Sequence, residues 1–283
     1  MNGIMMKTKR QKNRISTDGS SWSFRTGAVI TVVMMALIIA GFFWTPYDPD
    51  AMKGSEKFLS PTFLHIMGTD NFGRDILSRV LRGAGTTFII AVVTIVCGAL
   101  AGTIIGAVTS YIGGVTDEVI MRINDMIASF PSVLLAMVLI SLLGTGKYKI
   151  MAALVIVFIP SYARVMRSEF LKYKNMDYVC SAKLMGAGPA RIVTRHIFPL
   201  CVPALLSSLT IGFNNAVIAE AGMSYLGLGV QPPDASLGRM LAEGQAYITS
   251  SPWCVLGPGI FMILMILGAG LLGDGIGDRM GGH

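Results

Sequence analysis

The chain has 283 residues, of which 53% are hydrophobic and only 14% are charged. A water-soluble domain carries about 25% charged residues, so this deficit, with long uncharged apolar runs, excludes an ordinary soluble fold and points to an integral membrane protein. The net charge of +7 does not mark a nucleic-acid binder. The basic residues lie between hydrophobic runs with no aromatic–basic interleaving, which suits a membrane surface better.

Residues 1–25 are polar and basic (Lys7, Lys9, Arg10, Lys12, Arg14, Arg25) and are expected to form a disordered cytoplasmic tail. Thr26 to Trp44 is an uncharged run long enough to cross a bilayer. A cleaved signal peptide is the rival reading of this start. The run is long for an h-region, however, and no small-x-small site follows it. Trp44-Thr45-Pro46-Tyr47 instead has the character of an interfacial belt. An uncleaved first helix at 26–44, with its N-terminus cytoplasmic, is therefore expected.

Residues 45–83 are then extracytoplasmic. Gly68 to Gly73 forms a turn, and Asp75 to Arg82 reads as an amphipathic helix with Ile76, Val80 and Gly83 on one side. It is expected to be a solvated surface helix on the outer mouth, with contact to a binding protein as the functional alternative. Thr86 to Tyr111 is the second span. Its Gly98, Ala99, Ala101, Gly102 and Gly106 are small residues that let helices approach closely in lipid.

Gly113-Gly114 makes a cytoplasmic turn. Asp117, Glu118, Arg122 and Asp125 follow, near one end of a third span that continues to about Leu143, interrupted by Pro131. A charge at mid-bilayer costs roughly 2.5–3.5 kcal/mol on insertion scales, so these groups must pair or sit at the interface. Arg122 is expected to pair with Asp117, Glu118 or Asp125, and a gate or an ATPase contact is the functional alternative. Residues 144–149 form a short outer loop. Its Gly144-Thr145-Gly146-Lys147 fails as a phosphate loop, because Ser141 and Tyr148 stand where glycine and Ser/Thr are required. The fourth span runs from about Ile150 to Val165 with a kink at Pro160. Arg164, Arg167, Lys172, Lys174, Lys183, Arg191 and Arg195 crowd the next loop, which the positive-inside rule makes cytoplasmic.

Within that loop, Tyr178 to Leu200 begins as a helix, breaks at Gly186-Ala187-Gly188-Pro189 and resumes at Ala190. A short basic helix, a bend and a second short helix between two hydrophobic spans have the form of a docking element on a membrane surface. The fifth span, Pro199 to about Ala221, carries Asn214, Asn215 and Glu220. An ionisable residue inside the membrane is a functional candidate with a partner to be named. Asn214, Asn215 and Glu220 are therefore candidates for a gate or pathway, with Arg239 as the expected partner of Glu220 and local interfacial capping as the plain alternative. Met223 to Pro233 is a tight re-entrant or outer turn. Residues 235–251 include a short outer helix, and Leu256 to Leu272 is the sixth span, with Asp274, Asp278 and Arg279 on the cytoplasmic side. Gly268-Ala269-Gly270-Leu271-Leu272-Gly273 matches G-x-G-x-x-G, but inside an apolar helix with no preceding strand it reads as a packing surface.

The chain has no Walker A motif, no H-E-x-x-H and no G-x-S-x-G, and only three histidines, His65, His196 and His283. Cys97, Cys180, Cys201 and Cys254 are far apart and read as small buried hydrophobes. No catalytic residue and no metal site is expected. If transport is powered, the energy enters through a partner.

Three blocks carry a family resemblance. Gly68-Thr69-Asp70-Asn71-Phe72-Gly73-Arg74-Asp75-Ile76-Leu77-Ser78-Arg79 resembles GTDxxGRDxxSR. Ser224-Tyr225-Leu226-Gly227-Leu228-Gly229-Val230-Gln231-Pro232-Pro233 resembles SFLGLGVQPP, with Tyr225 a departure and Met223 another just before it. Tyr178 to Pro199 resembles the EAA loop, with Cys180 for the glutamate, Ser181 and Ala182 for the alanines, Gly186 for the glycine and Phe198-Pro199 for Leu-Pro. Together they resemble the oligopeptide/dipeptide/nickel branch of binding-protein-dependent ABC importer permeases.

The resemblance implies an all-α fold of six transmembrane helices, the type I importer permease fold, with both termini cytoplasmic. Residues 84–278 would be its core domain. It implies a multi-pass protein of the cytoplasmic membrane, embedded in lipid. Its partners would be a related permease subunit in a heterodimer, two ATPases that hold ATP and magnesium, and an extracytoplasmic solute-binding protein. Coupling to the ATPases falls on the helix near 180–192, on Ser181, Ala182, Lys183, Gly186, Ala187, Gly188, Arg191 and Ile192. Alternating access for di- or oligopeptides is the expected function, with nickel or a metal chelate as the alternative cargo. An ion-driven secondary transporter is the alternative of another class.

Overall fold

The computed structural model describes the backbone of residues 2–280 and the side chains of residues 22–277. No strand occurs among the described residues beyond an isolated bridge between Thr69 and Asp75. That is the expected outcome in a bilayer, where no water is available and a helix satisfies its own backbone groups.

The first helix, α1 (Asn2–Phe43), contains a candidate span from Trp22 to Phe43. Its backbone is helical from Asn2, in place of the disordered tail expected over 1–25; the side chains of that tail up to residue 21 lie outside the described residues, as do those of Asp278 and Arg279. An irregular segment leads to α2 (Ile76–Ile112). α3 (Gly114–Ser129) and α4 (Ser132–Leu143) meet at Phe130-Pro131 with a bend of 92°. Next come α5 (Lys147–Lys174), α6 (Asp177–Leu184), the single turn α7 (Pro189–Arg191) and a π-helical turn over Ile192–Ile197. The chain closes with α8 (Phe198–Tyr225), α9 (Leu237–Gln245) and α10 (Trp253–Met280). Among the described residues, five helices are long and apolar enough to cross a membrane, or six if the bent α3–α4 pair counts as one.

One expectation changes here. The helix expected at Asp75–Arg82 is not a separate surface element: it forms the first turns of α2, and Ile76, Val80 and Arg79 are buried. Asp75 caps it, accepting from Ser78 N at 2.8 Å and Ser78 Oγ at 2.6 Å. Arg79 does not reach water. It lies beside Glu243 (Nη2–Oε2 3.3 Å), which also holds Arg74 (3.0 Å) and Arg239 (2.9 Å), so one α9 carboxylate gathers three guanidiniums. The third span, expected to be interrupted at Pro131, is bent nearly to a right angle there. Residues before a proline disfavour helical geometry, and Phe130 is extended at φ −76°, ψ 137°.

α2 and α5 pack through the small residues noted in the sequence. A Cβ on Gly102 would lie 2.6 Å from Tyr162 Cβ and 2.7 Å from Ala163 N; one on Gly106 would lie 2.6 Å from Ala163 O. α5 passes through Pro160 without a break. α1 and α10 meet in the same way: a Cβ on Gly268 would come 2.8 Å from Ile30 Cγ2, which gives the G-x-G-x-x-G run its packing role. The main core joins Met34 and Ile38 of α1, Val80 and Ala84 of α2, Ala216 and Val217 of α8, and Phe261 and Met265 of α10. Of the cysteines, Cys201 and Cys254 are buried as expected. Cys97 and Cys180 are exposed on the chain's surface.

Gly102→Val places a branched side chain whose Cβ would already lie 2.6 Å from Tyr162 Cβ and 2.7 Å from Ala163 N. Overpacking of this kind costs about 1–3 kcal/mol. A lower unfolding midpoint in detergent is expected for this variant, while Gly222→Ala, whose added Cβ meets nothing within 4 Å, should leave the midpoint near that of the parent.

Candidate functional site

The stretch between α5 and α8 is a packed foundation with a projecting end. α6 buries Val179 and Ala182, and the π-helical turn buries Ile192 and Ile197. These meet Ala107 of α2, Met166 and Phe170 of α5, and Cys201 of α8 in one apolar cluster. Ser181, Lys183, Gly186, Gly188 and Arg191 are exposed, and Ala187 is half-buried. Leu184 and Met185 stand out furthest, at 90% and 82% exposure.

Glycine chemistry sets the turn. Gly186 N donates to Lys183 O and Ala187 N to Ala182 O, both at 3.0 Å, which is the Schellman pattern that ends a helix. It requires a left-handed residue, and Gly186 has φ +81°. Gly188 and Pro189 then start α7, with proline at the first position, where its missing N–H is harmless. Of the eight residues implied for coupling, Ala182 and Ile192 serve the foundation, and Gly186 shapes the turn. Leu184 and Met185 were outside the expected set, although a pair of apolar residues next to a helix-ending glycine was a visible signal.

The charges at 117–125 pair in part as expected: Arg122 takes Glu118, one of its three expected partners, while Asp117 and Asp125 take arginines from α5. Asp117 receives a bidentate guanidinium from Arg167 of α5 (2.7 and 2.6 Å), and Asp125 receives Arg164 (2.9 Å). Arg122 reaches only Glu118, at 3.4 Å, with both side chains exposed. The partners come from α5 because α3 lies against it, a contact that sequence spacing within α3 cannot reveal. Lys174 adds a further tie, donating to Ser110 O (2.7 Å) and Tyr111 O (2.9 Å) at the end of α2, where a cation complements free carbonyls. α2, α3 and α5 are thus fastened together beside the 177–197 stretch. An open cavity of about 620 Å³ is lined by Asp117, Glu118, Arg122, Asp125 and Arg167, among others.

Asn214, Asn215 and Glu220 do not converge. Asn214 is half-buried against Gly270 of α10, and Asn215 is exposed. Glu220 is wholly buried. Its expected partner Arg239 is bound to Glu243 instead, and Glu220 accepts from Thr87 Oγ1 (2.9 Å) and Ser224 Oγ (2.6 Å). Hydroxyls rather than a cation satisfy it, because α2 and its own last turn reach it and the α9 arginine points elsewhere.

Asp117→Asn would leave Arg167 without its carboxylate in a half-buried position. Hydrogen bonds to charged groups contribute about 1.5–3 kcal/mol, whereas an exposed pair contributes about 0–1 kcal/mol. Thermal unfolding should therefore show a clear loss for Asp117→Asn and almost none for Arg122→Ala; equal midpoints for the two would contradict this ranking.

The chain matches the family described as "binding-protein-dependent transport system inner membrane component" over residues 95–281. It is 32% identical to the dipeptide transport system permease protein DppC of Haemophilus influenzae, over 90% of this chain and 88% of that protein. It is 31% identical to the nickel transport system permease protein NikC of Escherichia coli K12, over 93% and 95% of the two chains. In fold, it is similar to a chain of the MetNI methionine ABC transporter in an inward-facing form (TM-score 0.60, 19% identity, 71% of this chain and 95% of that one). The family decides against an independent secondary transporter. The chain belongs to the binding-protein-dependent inner membrane components and is a multi-pass, non-catalytic ABC importer permease of the branch that includes peptide and nickel systems.

Proposed function

We propose that this permease carries di- or oligopeptides across the cytoplasmic membrane by alternating access, and that residues 177–192 are its contact with an ATPase. The complete assembly would pair it with a related permease subunit, two ATP-hydrolysing subunits and an extracytoplasmic solute-binding protein. In this reading the N-terminus and the 177–197 stretch lie on the cytoplasmic side, in keeping with the concentration of Lys and Arg there.

The observation that carries the reading is the contrast within one short segment: Leu184 and Met185 are exposed, while Val179, Ala182 and Ile192 are locked into the bundle. An apolar tip on a rigid base suits a fixed cleft on a partner, and the base passes the push directly into α5 and α8. The dipeptide relative supports peptides as cargo. The nickel relative, covering 93% of the chain at similar identity, supports nickel or a nickel chelate as the second reading.

The test is ATPase activity of the purified complex in lipid, with and without substrate-loaded binding protein. Gly186→Trp forces a non-glycine residue into left-handed geometry, at about 1–2 kcal/mol, and adds bulk at the docking face. Leu184→Asp with Met185→Asp alters the tip without backbone strain. Both are expected to assemble and to lose the stimulated increment by more than tenfold; full stimulation in both would remove the coupling role from 177–192. Uptake of a labelled dipeptide against labelled nickel in the same vesicles decides the cargo.

A further inference from the structure

Glu220 sits five residues before the end of α8 and is wholly buried, and among the described residues no cation pairs with it. Each of its oxygens instead starts a short chain of hydrogen bonds. Oε2 accepts from Thr87 Oγ1 of α2 at 2.9 Å, and that hydroxyl oxygen accepts in turn from Leu237 N at 3.2 Å. Oε1 accepts from Ser224 Oγ at 2.6 Å, and that oxygen accepts from Val230 N at 3.1 Å. Thr87, Ser224, Val230 and Leu237 are all wholly buried as well. One carboxyl group therefore holds both ends of the segment from Val230 to Leu237, and fastens it to α2 and α8 together.

Apolar burial of Val230, Ala235 and Leu237 and an ion pair from Asp234 to Lys147 of α5 (2.9 Å) also hold this segment, and the Glu220 relays add buried polar ties to α2 and α8. Gly227 is left-handed (φ +79°), and Gln231 binds only carbonyls within the same turn, those of Gly227 and Gly229. A buried polar network of this kind specifies one arrangement when every member is satisfied, and is costly when one is removed. α8 is 28 residues long, about 42 Å at 1.5 Å per residue. The 177–197 stretch joins one end and Glu220 stands near the other.

We propose that Glu220 is a positioning residue that, through its two hydroxyl relays, makes the 226–237 segment move with α8 and α2 during transport. This rests on the reading of 177–192 as the ATPase contact. A displacement entering at Ile192 and Ile197 passes along α8 as a rod, and the relays deliver it to the loop and to the start of α9. Without them the loop keeps its apolar packing against Met223 but follows α8 less closely.

The experiment uses the whole complex in lipid vesicles, with three readouts: dipeptide or nickel uptake, the ratio of binding-protein-stimulated to unstimulated ATPase, and amide hydrogen exchange over residues 226–237. Glu220→Ala is expected to raise exchange at Val230 and Leu237 at least tenfold and to lower uptake at least tenfold. Thr87→Val should free Leu237 alone and Ser224→Ala should free Val230 alone. Each should cut uptake severalfold by itself and add almost nothing in the Glu220→Ala background, since contacts within one network are not additive. Should Glu220→Ala not assemble, Glu220→Gln keeps one acceptor oxygen and should give intermediate exchange and uptake.

Uptake within twofold of the parent in Glu220→Ala, or in Glu220→Gln with raised exchange, overturns the proposal. So does full additivity of Thr87→Val with Glu220→Ala. The two readings fail separately. If the Leu184/Met185 variant keeps its stimulation while the Glu220 variants lose uptake, the docking assignment falls and the Glu220 role stands. The reverse pattern removes the Glu220 role and leaves docking intact.

Discussion

Close approach of α2 and α5 is the constraint on which the rest of the molecule depends. Without water in the bilayer, apolar side chains gain nothing by turning away from lipid toward one another, so helices must associate by fit. Gly102 and Gly106 supply that fit by letting Tyr162, Ala163 and Arg167 of α5 rest against the α2 backbone. With α5 set there, Arg164 and Arg167 fall opposite Asp125 and Asp117 of α3, and Lys174 reaches the last carbonyls of α2. With α2 set, Thr87 is delivered to Glu220 and Arg79 to Glu243. A pair of missing side chains thus decides where most of the buried charges find partners.

How much was legible in the sequence depends on the range of the interaction. Apolar runs are local, so the spans could be read directly, and the glycine and proline pairs placed the turns near 113, 186 and 227 where the backbone takes up positive φ. Partners across helices were not legible. Asp117 and Arg167 are 50 residues apart, and Glu220 and Thr87 are 133 apart. Spacing within one helix offered Arg122 to Asp117, Glu118 or Asp125, of which it takes Glu118, and proximity in sequence suggested Arg239 for Glu220. Both choices favoured neighbours along the chain over neighbours in space. The bend at Pro131 was visible as a proline, but its 92° angle depends on what α4 packs against: Ala136 and Ile140 lie in a cluster with Ile150, Ala153 and Leu154 of α5.

Exposure carries a different meaning here from that in a soluble protein. Val96, Leu100 and Ile104 of α2 point away from the chain because lipid or a second subunit is as good a neighbour as the protein interior. That ambiguity is why an apolar sequence hides its helix faces. The polar segments lack it: at 177–197, where charged residues are frequent, buried and exposed residues separate cleanly, and the candidate site emerges from that separation.

The division at Gly186 has a consequence for how such a protein can change over time. The residues that keep the stub upright, Val179, Ala182, Ile192 and Ile197, are not the residues that protrude, Leu184 and Met185. Substitutions at the tip leave the core untouched, and substitutions in the core leave the tip's chemistry as it was. Surface chemistry and stability are written in separate letters of the same short word, so the face that this stretch offers can change while its seat in the bundle does not.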